Sequence, residues 1–299
     1  MNLLRNNRSR AYALLLITAA LWGFAAPIAK EAYKVVSPAQ FLFGRYLLAS
    51  LIFLPVYLIF SPRISFKLSS LKIYLPLALL GTPLCLLPLY LGLQYTSAIE
   101  ASILVASGPI FTILAGHFFL KEHISRREKV GVAISILGTL ILLFKPLILD
   151  GATMKLSLLG NLLITLSNLI WTSFVIFQKK CHHIDSSKLL LISSLISIPF
   201  FLVFVLFQSP HTPLFSPLLL PGALPEIIYM AVLASLVAFW AHTEAQNHIA
   251  ASQAAIFSYL QPVFALPLAI FWLGESLSPI AIVSFLLIII GVYISESRS

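Results

Sequence analysis

A stretch from the middle of this chain is repeated near its C-terminus, and this repeat constrains the fold more than any other feature. Residues 98–138 align with residues 251–291 at a constant offset of 153 positions, without a gap. The identical pairs are Ala98/Ala251, Ala101/Ala254, Ile103/Ile256, Pro109/Pro262, Phe111/Phe264, Phe118/Phe271, Leu120/Leu273, Glu122/Glu275, Ser125/Ser278, Val130/Val283, Ile136/Ile289 and Gly138/Gly291. Apolar matches are common by chance, but a Pro and a Glu that keep their spacing are not. The chain is therefore predicted to contain two copies of one structural unit.

The composition indicates that this unit is embedded in lipid. Hydrophobic residues make up 60% of the chain and charged residues 10%, with a mean hydropathy of +0.99. Soluble domains carry about 25% charged residues. With so few polar groups the chain cannot cover a surface in water, so a soluble globular fold is excluded.

Ten apolar stretches are long enough to cross a bilayer, since a spanning helix needs about 20 residues. They cover 11–29, 38–60, 72–93, 97–120, 128–145, 157–178, 188–208, 225–247, 249–273 and 276–294. A transmembrane barrel is disfavoured because its strands alternate in polarity, whereas residues 281–290 are apolar at nearly every position. The sequence predicts an all-α integral membrane protein with ten transmembrane helices and little chain left for a soluble domain.

The basic residues predict the orientation of these helices. With the N-terminus inside, the cytoplasmic residues are Arg5, Arg8, Arg10, Arg63, Lys67, Lys72, Lys121, Arg126, Arg127, Lys129, Lys179, Lys180, Lys188 and Arg298. The outer residues are Lys30, Lys34, Lys145 and Lys155. This asymmetry places both termini in the cytoplasm. It also accounts for the net charge of +9 without nucleic acid as a partner, because the cationic loops lie at the lipid headgroups.

The first apolar stretch is read as an uncleaved helix rather than a signal peptide, because it continues to Ala29 and further spans follow. Only Cys85 and Cys181 are present, so no disulfide framework is expected and both should be free thiols.

Each half of the chain holds five predicted helices, with 1–150 as the first repeat and 151–299 as the second. Because five is odd, the second half enters the membrane from the opposite face, and the repeats are inverted. The front parts of the halves support this weakly at an offset of 149, which pairs Trp22 with Trp171, Lys30 with Lys179 and Ser37 with Ser186. Inverted repeats are a structural mark of secondary transporters, whose substrate site lies near the midplane between them.

Four segments resemble a known family. They are LWGF at 21–24, FGRYLLAS at 43–50, YTSAIEASILVASGPIFTILAGHFFLKEHIS at 95–125 and AASQAAIFSYLQPVFALPLAIFWLGESLS at 250–278. The chain is similar to EamA-type members of the drug/metabolite transporter superfamily over essentially its whole length. The resemblance implies ten helices in the cell (inner) membrane, both termini on its cytoplasmic side, and export or uptake of small metabolites without ATP. One departure is that Pro109 follows Ser107 and Gly108 instead of a bulkier apolar residue.

Motifs of other functions are absent from the sequence. It contains no GxxxxGK[ST] phosphate loop, no HExxH, no GxSxG and no spaced Cys/His set. We therefore expect no enzyme activity, no cofactor and no metal ion.

Polar and aromatic residues at membrane depth are the candidates for substrate binding, because a charge at the bilayer centre costs about 2.5–3.5 kcal/mol on insertion scales. Arg45 lies within the second helix, where it would attract a carboxylate or would instead reach the outer headgroups. The other candidates are Trp22, Tyr90, Asn168, Trp171, Trp240, Tyr259 and Gln261. The aromatic members suit either a cavity wall or an interfacial belt.

Three residues are candidates for coupling or gating. His117 is a candidate because a histidine within a membrane helix could couple transport to protons, and the alternative is a neutral, hydrogen-bonded residue in helix packing. Glu122 and Glu275 are repeat equivalents, and a cap on the next helix is the alternative to gating for both. His242 and Glu244 are read as interface polarity, with Glu244 paired to His248 four residues later.

The sequence thus predicts a secondary carrier that binds small organic metabolites in a lipid membrane, most plausibly an exporter of amino acids or related compounds working by alternating access. The alternatives are an uptake carrier for a nucleotide-like metabolite and a non-transport membrane protein, such as a flippase-like accessory or a scaffold. A monomer and a homodimer are both compatible with ten helices.

Overall fold

A computed structural model describes residues 2–60, 68–148, 154–181, 183–208, 218 and 220–296. Every regular element within these residues is a helix, which confirms the all-α prediction. Three residues used to predict the orientation, Arg63, Lys67 and Arg298, lie outside the described residues, as does the predicted boundary between the halves at 150/151.

The helices follow one another with short connections. They are α1 (Asn2–Gly23), α2 (Ala25–Ala32), α3 (Pro38–Phe60), α4 (Leu68–Gly81), α5 (Pro83–Tyr95), α6 (Ala98–Ala106), α7 (Gly108–Leu120), α8 (Arg126–Leu143), α9 (Lys145–Ile148), α10 (Met154–Lys180), α11 (Ser186–Gln208), α12 (Leu224–Tyr229), α13 (Ala238–Gln246), α14 (Ala251–Ala255), α15 (Gln261–Phe271) and α16 (Pro279–Glu296). A π-helical segment, Met230–Val237, joins α12 to α13, and a 3₁₀ segment, Ile256–Leu260, joins α14 to α15.

Eight helical rods in the described part of the chain have the length and apolar composition needed to cross a membrane. They are Asn7–Ala32, Pro38–Phe60, Ser70–Tyr95, Ala98–Leu120, Met154–Lys180, Ser186–Gln208, Leu224–Gln246 and Ala251–Phe271. The other two predicted spans correspond to α8 and α16. The first turn of α8 contains Arg126, Arg127, Glu128 and Lys129, which leaves a short apolar remainder, and Pro279–Ser295 is apolar but shorter than the eight.

The two repeated segments are both broken just before their shared proline. Ser107 separates α6 from α7, and Pro109 occupies the first turn of α7. In the second copy the break is the 3₁₀ segment that ends at Leu260, and Pro262 occupies the first turn of α15. Proline has no backbone N–H and suits a first helical turn, so each proline starts a new helix instead of kinking a continuous one.

Both repeated segments also end in the same way. Lys121 has φ 58° and Gly274 has φ 68°, and these left-handed residues stand at equivalent positions. The N–H of Glu122 then donates to Gly116 O at 3.2 Å, and the N–H of Glu275 donates to Ala269 O at 3.1 Å. In both copies the amide of the glutamate thus returns to a carbonyl six residues earlier, so the two helices end with the same backbone conformation.

Helices α8 and α16 pack with almost no side chain between them. A Cβ added at Gly131 would lie 2.2 Å from Gly291 O, and one added at Gly291 would lie 2.4 Å from Gly131 O. Ser135 donates to Ile288 O at 3.2 Å across the same contact. Gly131 and Ser135 thus lie on the face of α8 that meets α16, and their small side chains allow this close contact between an element of the first half and one of the second.

Candidate functional site

A cavity of about 130 Å³ lies among helices from both halves of the chain. Its wall includes Trp22 from α1, Arg45 from α3, Tyr90 from α5, Trp171 from α10 and Gln261 from α15. Two of these five come from the second half, so the cavity lies between the halves.

Three rings form an aromatic cluster on one side of the cavity. Trp22 and Trp171 meet edge to face, with ring centroids 5.4 Å apart. The His242 ring lies 5.2 Å from Trp22 and 5.0 Å from Trp171. The indole N–H of Trp22 donates to Ala234 O at 2.9 Å, which fixes the ring at this position. The two tryptophans that are equivalent in the repeats therefore meet in space, and their faces supply an apolar and cation-binding surface.

Arg45 is the cationic residue of the cavity wall. Its side chain is only 3% exposed, and its Nε donates to Ser235 Oγ at 2.6 Å. Its Nη1 donates to Tyr90 Oη at 3.0 Å. The guanidinium also lies 5.3 Å from the centre of the Tyr46 ring and 5.7 Å from that of Tyr90. Arg45 therefore lies in the wall and does not reach the headgroups as the sequence alternative required.

All the groups that hold Arg45 are uncharged. Among the described residues no carboxylate forms an ion pair with it, and none of those lining the cavity is Asp or Glu. A buried positive charge without a counter-charge is costly. Arg45 therefore brings a positive charge to the cavity wall that no described acidic side chain offsets.

Two amide side chains add polar groups to the wall. Asn168 donates to Leu104 O at 2.8 Å and lies 3.4 Å from Ser107 Oγ, so it satisfies carbonyl and hydroxyl groups at the break between α6 and α7. Gln261 is 7% exposed at the start of α15, the equivalent break in the second copy. The two helix breaks thus both face the cavity with polar groups, as transporter sites built from discontinuous helices do.

The remaining two candidates for substrate contact lie away from the cavity. The Trp240 indole N–H donates to Ser187 Oγ at 3.2 Å, and the ring packs on a separate apolar cluster that contains Phe174 and Phe239. Tyr259 is partly buried against the main core and is not part of the cavity wall.

The three coupling or gating candidates also lie outside the cavity. His117 is bonded through Nδ1 to the backbone carbonyl of Glu122 at 2.8 Å. Glu275 accepts hydrogen bonds from the N–H groups of Ala98 and Ile99 at 2.8 and 2.9 Å. The cap predicted for the next helix is therefore on α6 instead, in the other half of the chain. Ser278 supplies the cap on α16, where it accepts from Ala281 N–H at 3.2 Å.

His242 and Gln246 belong to the cavity wall, although the sequence placed His242 at the membrane interface. His242 is 4% exposed and its Nε2 lies 3.3 Å from Gln246 Nε2. The π-helical segment Met230–Val237 immediately precedes their helix. Its wider turns rotate the residues that follow relative to an unbroken α-helix, and no residue type in the sequence signals it. The predicted pair of Glu244 and His248 is present at 3.3 Å.

Comparisons with known proteins agree with this geometry. The model of the EamA-like transporter family matches residues 9–144 and again residues 158–296. An uncharacterized transporter of Archaeoglobus fulgidus is 25% identical over 97% of this chain and 98% of its own length. A probable amino-acid metabolite efflux pump of Escherichia coli is 27% identical over 65% of this chain and 66% of its own length. One solved structure superposes with a TM-score of 0.69 over 96% of both chains at 14% identity, which supports the fold. The chain is thus a multi-pass membrane protein that belongs to the EamA-like transporter family.

Proposed function

We propose that the protein is a secondary carrier that exports amino acids or closely related small carboxylates. Ten helices, formed by the eight long apolar rods together with α8 and α16, would be arranged as two inverted repeats, 1–150 and 151–299. The two separate matches to the family model and the equivalent breaks at Pro109 and Pro262 support this arrangement. Such repeats permit two related packings, one open to each side of the membrane.

The proposed location is the cell (inner) membrane with both termini in the cytoplasm. The asymmetry of Lys and Arg between the two sets of loops supports this orientation. Large apolar side chains face outward at equivalent points of the two copies, with Phe118 73% and Phe271 89% exposed, as expected for contact with lipid.

The carboxylate preference rests on the single observation that Arg45 lies in the wall of the cavity without a counter-charge. A substrate carboxylate would supply that charge and accept charge-assisted hydrogen bonds from the guanidinium. The hydrogen bonds that Arg45 donates to Ser235 and Tyr90 hold its guanidinium in one orientation, so little side-chain entropy is lost when a substrate binds.

The aromatic cluster would receive the rest of the substrate. The faces of Trp22 and Trp171 suit an apolar side chain and also an ammonium group, since a cation is attracted to an indole face. No acidic group of the described cavity wall competes for that role. The Escherichia coli relative is a probable amino-acid metabolite efflux pump, and this similarity supports the same substrate class and direction.

The cavity argues against the other two functions. A nucleotide carries several negative charges, whereas Arg45 is the one cationic residue among the described residues of the wall. A scaffold protein would gain nothing from a buried arginine that faces an internal cavity without an ion-pair partner, because that arrangement reduces stability. An amino-acid carrier uses both features.

The test is flux measured in proteoliposomes that contain the purified protein. Labelled amino acids, nucleotides and organic carboxylates are compared, each with and without an imposed pH gradient. Saturable flux of an amino acid or small carboxylate is expected, and dependence on the gradient would identify a proton as the coupling ion. Saturable flux of nucleotides alone would contradict the proposed substrate class. Absence of flux for the whole panel from folded protein would contradict the carrier function.

A further inference from the structure

Two glutamates at the ends of the repeated helices and two lysines of other helices form a pattern that the cavity does not use. Glu275 follows α15 and Glu122 follows α7, while Lys30 lies near the end of α2 and Lys179 near the end of α10. Glu122 and Glu275 are equivalent at the offset of 153, and Lys30 and Lys179 at the offset of 149. Glu275 and Lys179 each form hydrogen bonds with a turn that joins the third and fourth predicted helices of a repeat.

In the first half of the chain, the turn before α6 is hydrogen-bonded to a glutamate. Glu275 accepts from the N–H groups of Ala98 and Ile99, the first residues of α6. Lys30 at the same face forms no side-chain hydrogen bond or ion pair with any described residue. We name Lys30, Glu275 and the two amides the Glu275 clamp. Because Glu275 belongs to the second half and α6 to the first, this clamp ties the halves together.

In the second half of the chain, the equivalent turn before α14 is hydrogen-bonded to a lysine instead. Lys179 donates to the carbonyl groups of Gln246 and Ile249, at the end of α13. The amides equivalent to those of Ala98 and Ile99 are those of Ala251 and Ser252, and neither donates a hydrogen bond to a described residue. We name Lys179, Glu122 and these two amides the Glu122 clamp. It is open where the Glu275 clamp is closed.

The two copies differ in one residue beside these glutamates. The carboxylate of Glu122 folds back over Gly116, so that a Cβ added there would lie 2.9 Å from Glu122 Oε2. The equivalent of Gly116 in the second copy is Ala269, whose methyl group occupies that space. Glu275 extends to α6, whereas the carboxylate of Glu122 stays beside Gly116 and forms no hydrogen bond with the described amides of Ala251 and Ser252.

We propose that the two clamps close alternately, so that Glu122 caps Ala251 and Ser252 in the opposite-facing state while Glu275 leaves Ala98 and Ile99. In that state Lys30 would hold the carbonyls of its own turn and Lys179 would release its turn. The clamps are the gates of the proposed carrier, and this inference rests on that function. Glu122 and Glu275 are positioning residues, because neither reaches the cavity.

The test reads the clamped amides directly, by hydrogen–deuterium exchange of the full chain in nanodiscs of phosphatidylethanolamine and phosphatidylglycerol. Gly116→Ala removes the resting position of Glu122 and should slow exchange at Ala251 and Ser252 about fivefold, as expected for a gained N-cap. The same variant should accelerate exchange at Ala98 and Ile99.

Two further variants make the result specific. Ala269→Gly offers Glu275 a resting position and should accelerate exchange at Ala98 and Ile99, even if Gly116→Ala fails to fold. Adding Glu122→Gln to Gly116→Ala should abolish the slower hydrogen–deuterium exchange at Ala251 and Ser252. An unchanged exchange rate in folded Gly116→Ala, or protection of both turns at once, would overturn the proposal. Exchange needs no transported substrate, so a failed flux assay and a failed clamp are distinguishable.

Discussion

Replacing Arg45 with Gln separates its role in binding from its role in the fold. The side chain of Gln is polar and shorter, and it carries no charge, so the cavity loses its cation while its volume changes little. A substrate carboxylate would then lose its charge-assisted hydrogen bonds, which contribute about 1.5–3 kcal/mol. At 1.4 kcal/mol for each factor of ten, the dissociation constant of the carboxylate should rise about 10- to 100-fold.

The effect of Arg45→Gln on the free energy of unfolding should be small, because the substitution brings two opposing changes. The hydroxyl groups of Ser235 and Tyr90 lose their donor, at about 1–3 kcal/mol for each group left unsatisfied. The removal of an unpaired buried charge offsets that loss. We therefore expect the melting temperature of the ligand-free protein to change by only a few degrees.

The assay is ligand-induced thermal stabilisation of the purified protein, run with an amino acid of the transported class and with its neutral amide. The wild type should bind the acid and discriminate against the amide, and Arg45→Gln should bind both weakly and about equally. Trp240→Phe is the matched control, because Trp240 lies outside the cavity and should leave both affinities unchanged. Unchanged preference for the acid in folded Arg45→Gln would refute the assignment of Arg45 to the carboxylate.

Four further outcomes follow from the geometry. Trp171→Ala removes one face of the aromatic cluster and should raise the KM for an amino-acid substrate about tenfold, in line with about 1–2 kcal/mol for a desolvated ring contact, whereas unchanged KM would exclude the cluster from the site. Substrate should protect Cys85, which lines the cavity, from a maleimide and leave Cys181 reactive. Burial raises the pKa of the Cys181 thiol, so its thiolate fraction and its labelling rate should increase as pH rises through that pKa, and a rate flat with pH would contradict this. Gly131→Leu should lower the melting temperature strongly, since even a Cβ there lies 2.2 Å from the backbone of α16.

Much of the fold could be predicted because lipid imposes a simple pattern. The span 38–60 matches the helix Pro38–Phe60, since a continuous apolar run in a membrane has only one way to satisfy its backbone. The helix breaks near Pro109 and Pro262 were harder to predict from the sequence. Proline indicates a disturbed helix, but whether the result is a kink or a new helix depends on the neighbouring packing.

The site was predicted in part for a related reason. Trp22 and Trp171 are recognisable from the repeat, and the structure brings them together at the cavity. His242 was not predicted as a cavity residue, because its position depends on the preceding π-helical turns, which no residue type in the sequence indicates. The cap of Glu275 on α6 also required the structure, because sequence order indicates only the next helix and not the partner across the repeat.

Counterflow is the measurement that tests the central claim most directly. Proteoliposomes loaded with an unlabelled amino acid of the transported class receive a trace of the labelled compound outside, with no ion gradient. A carrier whose single cavity faces the two sides in turn should accumulate label transiently above equilibrium, and Arg45→Gln should abolish the overshoot. Label that only equilibrates, or an overshoot that survives Arg45→Gln in folded protein, would contradict an alternating-access carrier built around this cavity.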